Sequence, residues 1–72
     1  MKKSFRLEDL DCASCAAKME DGIRRIEGVQ SASVNFMAQK LTIEADDDRF
    51  DAVVREAARV CKKIEPDCTI VL

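Results

Sequence analysis

The sequence contains no histidine, tryptophan or tyrosine, and its 72 residues include only three phenylalanines, two glycines and one proline. Without histidine, neither an imidazole metal ligand nor histidine-based acid–base catalysis is available. The scarcity of aromatic residues and the net charge of −2 are atypical of nucleic-acid binding, which usually requires a basic face with stacking aromatic side chains. We therefore expect no nucleic-acid partner.

Long apolar runs are also missing. No stretch approaches the roughly 18 apolar residues that a membrane span needs, so we expect no direct membrane insertion by this segment. The residues after Met1 are charged where a signal peptide needs an apolar stretch, which predicts a reducing, cytoplasmic location. A chain of this length buries only about 60% of its unfolded surface, too little for both a core and a large pocket. We expect one domain over residues 1–72 and no enzymatic activity.

The pattern of apolar residues predicts four strands and two helices. Alternation of apolar and polar residues indicates strands, and apolar residues at helical spacing indicate helices. In chain order the predicted elements are a strand over 3–7, a helix over about 14–26, strands over 30–36 and 40–45, a helix over 50–64 and a strand over 68–72. The carboxylates of residues 46–48 are expected to cap the second helix, and Pro66 to end it.

This β-α-β-β-α-β order is typical of the α+β class, and specifically of the ferredoxin-like sandwich. In that fold, a four-stranded antiparallel sheet carries two helices on one face. The topology predicts that four segments meet at one end: the exit of the first strand, the start of the first helix, the hairpin between strands two and three, and the loop before the last strand. Reactive side chains on these segments would lie close together.

The most informative motif is Asp11-Cys12-Ala13-Ser14-Cys15, at the junction of the first strand and the first helix. The spacing of two cysteines by two residues lets both sulfurs face one centre, and helix N-terminal amides favour the thiolate that metals require. A zinc ribbon would need a second such motif, which Cys61 and Cys68 do not form. A dithiol oxidoreductase, a purely structural thiol pair and a simple interaction module remain alternatives.

The stretch LDCASCAAKME at 10–20, followed by IEGV at 26–29 and SVNF at 33–36, resembles a heavy-metal-associated domain. Such domains occur as metallochaperones and as N-terminal cytoplasmic modules of P-type metal-transporting ATPases. Copper-type members generally carry Gly-Met-Thr before the first cysteine, whereas Asp9-Leu10-Asp11 stands here, similar to the zinc, cadmium and lead exporting branch. The resemblance implies a partner in the transmembrane part of such an ATPase or in another metal-binding domain, and a location tethered at the inner face of a membrane.

The chemistry of Asp11 agrees with a divalent ion. Cu(I) is satisfied by two thiolates, whereas Zn(II), Cd(II) and Pb(II) seek further donors and accept carboxylate oxygen. With Cys12, Cys15 and Asp11 as ligands, a divalent ion leaves one uncompensated negative charge, and Cu(I) leaves two at a higher desolvation cost. We predict these three residues as the metal ligands. The alternative for Asp11 is an N-cap of the first helix.

Cys61 and Cys68 flank the loop that the topology brings to the same end, and Cys61 is a candidate auxiliary ligand. Core filling is the default interpretation of both, because a buried free cysteine behaves as a small apolar residue. Met19 is expected in the core, and Met37 in the hairpin loop.

The predicted function is capture of a divalent ion and its transfer to, or regulation of, a P-type exporting ATPase. The alternatives are a free-standing metallochaperone, for Cu(I) among other ions, and a dithiol redox protein.

Overall fold

A computed structural model describes residues 1–71 of the chain. Its elements are β1 (Lys2–Glu8), α1 (Ala13–Arg24), β2 (Val29–Asn35), β3 (Lys40–Ala45), a short 3-10 helix (Asp47–Arg49), α2 (Phe50–Ile64) and β4 (Thr69–Val71). The predicted order of strands and helices is confirmed. Leu72, the end of the predicted last strand, lies outside the described residues.

The four strands form one antiparallel sheet in the order β2-β3-β1-β4. Phe5 pairs with Leu41 and Leu7 with Ile70, so apolar residues of neighbouring strands share a face, as the two-residue period of a strand requires. The opposite face is polar. There, the exposed hydroxyl groups of Ser4 and Thr42 lie 2.9 Å apart across β1 and β3, and the Ser31 hydroxyl donates to the Glu44 carboxylate.

Both helices pack their apolar stripes onto the apolar face of the sheet. The side chains that are fully shielded from solvent come from α1, α2, β3 and the residue before β4, and they form one cluster. These side chains include Met19, Ile23, Leu41, Ile43, Val53 and Cys61. The cluster confirms the α+β sandwich predicted from the sequence. No helix within residues 1–71 is long and apolar enough to span a membrane.

Helix α1 begins one residue earlier and ends two residues earlier than predicted. After Arg24 the chain continues as tight turns, in which the Ile26 N–H donates to the Ile23 carbonyl and the Val29 N–H donates to the Ile26 carbonyl. These turns lead to Gly28, whose φ of +96° lies in the left-handed region that favours glycine. The apolar period continues through Ile26, but the backbone has already left the helix.

The prediction that the acidic run at 46–48 caps α2 is wrong. Asp47 and Asp48 belong to the 3-10 helix, and the N-cap residue of α2 is Arg49, with no side-chain cap bond. The Asp46 carboxylate instead accepts a hydrogen bond of 2.8 Å from the Gln30 amide. The aspartates therefore lie before and within a short 3-10 turn, and Arg49 occupies the cap position of the helix that they were expected to cap.

Candidate metal centre

The loop between β1 and α1 carries the cysteine motif. Asp9, with φ of +62°, turns the chain out of β1, and the side chain of Leu10 enters the core with 3% exposure. Asp11 is exposed, and Cys12 follows directly before α1. The Leu7 N–H donates to the Gln39 carbonyl at 2.7 Å, so the β2–β3 hairpin lies beside this loop. The topology thus brings these segments to one end, as predicted.

Cys12 is the N-cap residue of α1. Its backbone is extended, with φ of −130° and ψ of 111°, and its Sγ accepts a hydrogen bond of 3.3 Å from the Cys15 N–H. The Ser14 hydroxyl lies 3.3 Å from the same sulfur. The alternative that Asp11 caps the helix is therefore wrong, because a sulfur satisfies the N–H group that a carboxylate was expected to satisfy. The exposed Asp11 carboxylate makes no cap bond in this structure.

The two thiols of the motif differ in acidity. The pKa of Cys12 is lowered by the Cys15 side chain, by the Ser14 hydroxyl and by the Cys15 backbone N–H. The pKa of Cys15 is raised to about 11 by its hydrogen bond to Cys12, by burial and by the negative charges of Cys12 and Glu65. The pair therefore favours a thiolate on Cys12 and a proton on Cys15. A metal ion that engages both sulfurs must displace the Cys15 proton.

Glu65 is the acidic residue that the structure brings to Cys15. The Cys15 thiol donates to Glu65 Oε2 across 3.9 Å. Glu65 is the residue after α2, and Pro66 disfavours helical backbone at the preceding position, which here has φ of −138° and ψ of 93°. The Glu65 N–H still donates to the Cys61 carbonyl at 2.8 Å, so the helix end fixes where the carboxylate lies.

Sequence reasoning missed Glu65. The available signal was its place before Pro66, in the loop that the topology brings to the cysteine motif. Within residues 1–71, no three histidine, cysteine, aspartate or glutamate side chains form a cluster that could hold a metal ion as they stand. Cys12 and Cys15 are the pair that the fold brings together. The ligand role of Asp11 stays a prediction.

Cys61 and Cys68 lie in the core, with 1% and 0% exposure. Burial and the neighbouring Cys68 raise the pKa of Cys61 to about 11, and burial together with the Glu65 charge raises the pKa of Cys68. Both thiols are thus poorly ionised, which fits the core-filling interpretation. The auxiliary ligand role of Cys61 stays a prediction. Met19 is fully buried and Met37 is 89% exposed, as expected for core and loop positions.

Comparison with known proteins gives consistent matches. The model of the heavy-metal-associated domain family matches residues 4–65. The cadmium, zinc and cobalt-transporting ATPase of Bacillus subtilis (strain 168) is 36% identical over 70 residues, which are 97% of this chain and 10% of that protein. The chain thus spans about a tenth of the length of this curated relative.

Two solved structures share the fold. The N-terminal domain of a potential copper-translocating P-type ATPase from Bacillus subtilis, in the Cu(I)-loaded state, has a TM-score of 0.75 and 30% identity, and the match covers 96% of this chain and 84% of that one. The CopZ metallochaperone has a TM-score of 0.77, with 99% of this chain and all of that chain covered. At 21% identity, the second likeness concerns the fold alone.

Proposed function

Because the chain belongs to the heavy-metal-associated domain family, we propose that it binds a soft or borderline divalent ion, Zn(II), Cd(II) or Pb(II), and delivers it to a P-type exporting ATPase or regulates one. Cys12 and Cys15 supply the thiolates, and Asp11 supplies a carboxylate oxygen. The observation that carries the proposal is the pairing of the two cysteines at the start of α1, where the Cys15 N–H donates to the Cys12 sulfur and the pKa of Cys12 is lowered. The domain is a metal-binding module, and the proposal includes no catalytic step.

The preference for a divalent ion rests on the donors near the pair. Asp11 precedes Cys12 in the chain, and the Glu65 carboxylate lies 3.9 Å from the Cys15 sulfur. Oxygen donors beside two thiolates suit Zn(II) and Cd(II), whereas Cu(I) is satisfied by the sulfurs alone. The relative from Bacillus subtilis is described as transporting cadmium, zinc and cobalt, which supports this choice. The Cu(I)-loaded neighbour supports copper as the second candidate.

Transfer follows from the partial exposure of the site. Cys12 and Cys15 are only half-buried, at one end of the domain, so a donor from a partner can reach the ion while both cysteines still bind it. A ligand of the partner binds the ion before a ligand of this domain dissociates, so the ion passes to the partner without being released into solution. We propose the transmembrane part of the ATPase, or another metal-binding domain, as the partner. Residues 1–72 would form a single domain at the cytoplasmic face of the membrane.

A competition titration of the reduced protein with Zn(II), Cd(II) and Cu(I) tests the proposal through thiolate-to-metal absorption. We expect Cys15→Ser to abolish tight binding of all three ions. We expect Asp11→Ala to weaken binding of Zn(II) and Cd(II) while leaving Cu(I) binding unchanged. Asp48→Ala is the matched control, because it removes an exposed carboxylate from the 3-10 helix, outside the cysteine loop.

Two results would contradict the proposal in different ways. If Cu(I) saturates the pair first and Asp11→Ala changes no affinity, the copper alternative is correct and the function is that of a copper module or metallochaperone. If Cys15→Ser leaves the metal equilibrium nearly unchanged while the wild-type pair cycles between dithiol and disulfide with a defined potential, the domain is a redox protein.

A further inference from the structure

The loop that carries Cys12 is fixed to the β2–β3 hairpin by one side chain, that of Gln39. The Leu10 N–H donates to Gln39 Oε1 at 3.2 Å, and Gln39 Nε2 donates to the Leu10 carbonyl at 2.7 Å. The same Nε2 donates to the Phe36 carbonyl at 2.8 Å. The side-chain amide thus pairs with both main-chain groups of Leu10, as a neighbouring strand would.

This pairing lies beyond the end of the ladder between β1 and β3. The ladder ends with Arg6 opposite Lys40, and the Leu7 N–H donates to the main-chain carbonyl of Gln39. The chain then turns at Asp9, and none of the strands within residues 1–71 pairs with Leu10. Without the amide of Gln39, the main-chain groups of Leu10 would lose both of these partners.

Gln39 is itself in an unusual conformation, with φ of +53°. Few residues other than glycine adopt this region, and a bulky side chain there carries a conformational cost that the surrounding structure must offset. Two other hydrogen bonds close the hairpin: the Ala38 N–H donates to the Asn35 side chain at 3.0 Å, and the Gln39 N–H donates to the Phe36 carbonyl. The bonds to Leu10 are therefore an additional function of this side chain, directed at the neighbouring loop.

The connection from Leu10 to the metal site is short. Only Asp11 stands between Leu10 and Cys12, and the Leu10 side chain is anchored in the core. Fixing the main chain of Leu10 therefore fixes the backbone entry to Cys12. Cys15 is fixed separately, by the first turn of α1.

We propose that Gln39 is a positioning residue of the metal site. Its amide holds the Leu10 main chain so that the Cys12 sulfur lies beside Cys15 before a metal ion arrives, and it thereby contributes to affinity without touching the ion. The inference rests on the function proposed above, because it assumes that Cys12 and Cys15 bind the metal. Residues that orient metal ligands from outside the ligand set typically contribute 10- to 100-fold in affinity.

The test compares Cd(II) affinity of the wild type, Gln39→Leu and Gln30→Leu by competition with a chromophoric chelator. Leucine has a size similar to that of glutamine, but its side chain forms no hydrogen bond. Gln30→Leu is the matched control, since it removes one amide hydrogen bond, to Asp46, without touching the cysteine loop. We expect a loss of about 10- to 100-fold for Gln39→Leu and no change for Gln30→Leu. If Gln39→Leu does not fold, Gln39→Gly decides, because glycine tolerates the positive φ while removing the amide.

Amide hydrogen exchange of the metal-free proteins provides a second readout that requires no metal binding. We expect the Leu10 amide to be protected in the wild type and in Gln30→Leu, and unprotected in the folded Gln39 variant. An unchanged Cd(II) affinity of that variant would overturn the inference, as would rapid exchange of Leu10 in the wild type. Loss of the proposed function would show differently: wild type and Cys15→Ser would bind Cd(II) equally, while the protection of Leu10 would persist.

Discussion

The contact between the two helices at Gly22 leads to a quantitative prediction. A Cβ atom added at this position would lie 2.9 Å from Val60 Cγ1. Unbonded carbon atoms prefer separations of about 3.5–4.0 Å, so Gly22→Ala requires α1 and Val60 to move apart by roughly 0.6 Å or more. Valine cannot easily yield, because its branched Cβ restricts rotation. The clash must then be relieved by a shift of the helices.

Two opposing effects decide the magnitude. Replacing glycine by alanine inside a helix stabilises it by about 1 kcal/mol. Overpacking of a well-packed contact costs about 1–3 kcal/mol. We therefore expect Gly22→Ala to lower the free energy of unfolding by up to about 2 kcal/mol, and each kcal/mol lowers the Tm of a domain of this size by roughly 4–8 °C.

A double-mutant cycle with Val60→Ala separates the two effects. Once the Val60 methyl groups are removed, the added Cβ meets no nearby atom, and Gly22→Ala should stabilise the Val60→Ala background by about 1 kcal/mol. Urea unfolding followed by circular dichroism measures all four proteins. If Gly22→Ala stabilises the wild type as much as it stabilises the Val60→Ala background, then Gly22 does not lie as close to Val60 as the structure places it.

Three further predictions use other sites. Gly28→Ala should destabilise the fold by about 1–2 kcal/mol, because φ of +96° is unfavourable for a residue with a Cβ. Urea unfolding measures this change, and an unchanged free energy of unfolding would show that the turn adapts to alanine. Burial raises the pKa of Cys61 from 9.0 to about 11, so Cys61 deprotonates at lower pH in the unfolded chain than in the folded one. The free energy of unfolding should therefore fall by roughly 1 kcal/mol per pH unit between pH 9 and pH 11. Unfolding curves of Cys61→Ala should show a weaker dependence of stability on pH. The pKa of Cys15 is raised by its hydrogen bond to Cys12, by burial and by the negative charges of Cys12 and Glu65, and Glu65→Gln removes the last of these charges. Mass spectrometry should therefore detect faster alkylation of Cys15 at pH 8, and an unchanged rate would count against the contact.

The order of the elements could be predicted because each strand and helix has a clear apolar period. The fold then follows, since a β-α-β-β-α-β chain has few ways to bury one face of a sheet under two helices. The errors lie at element ends. The apolar stripe runs on to Ile26 after the backbone has left α1, and the aspartates at 46–48 enter a 3-10 turn that has no strong sequence signal.

The candidate site was predictable only in part. Cys12 and Cys15 are close in sequence, so their spacing alone indicates that they act together. The alternative role for Asp11, an N-cap of α1, rested on the preference for carboxylates as N-caps, and sulfur is not among the usual capping groups. Glu65 and Gln39 could not be assigned from local pattern. Their contacts with Cys15 and Leu10 join residues 50 and 29 positions apart, and only the three-dimensional packing creates them.

The geometry of the site therefore depends on packing far from the sulfurs. Cys15 lies near the start of α1 and Glu65 directly after α2, so their separation of 3.9 Å is set by how the two helices lie against each other. Gly22 and Val60 form a contact between the same two helices. A translation of α1 that relieves a clash at Gly22 would also move Cys15 relative to Glu65. Gly22→Ala should then change the alkylation rate of Cys15 as well as stability, whereas in the Val60→Ala background it should neither lower stability nor change the alkylation rate. If the loss of stability disappears in that background while the change in alkylation rate persists, the first turn of α1 is positioned independently of the helix contact.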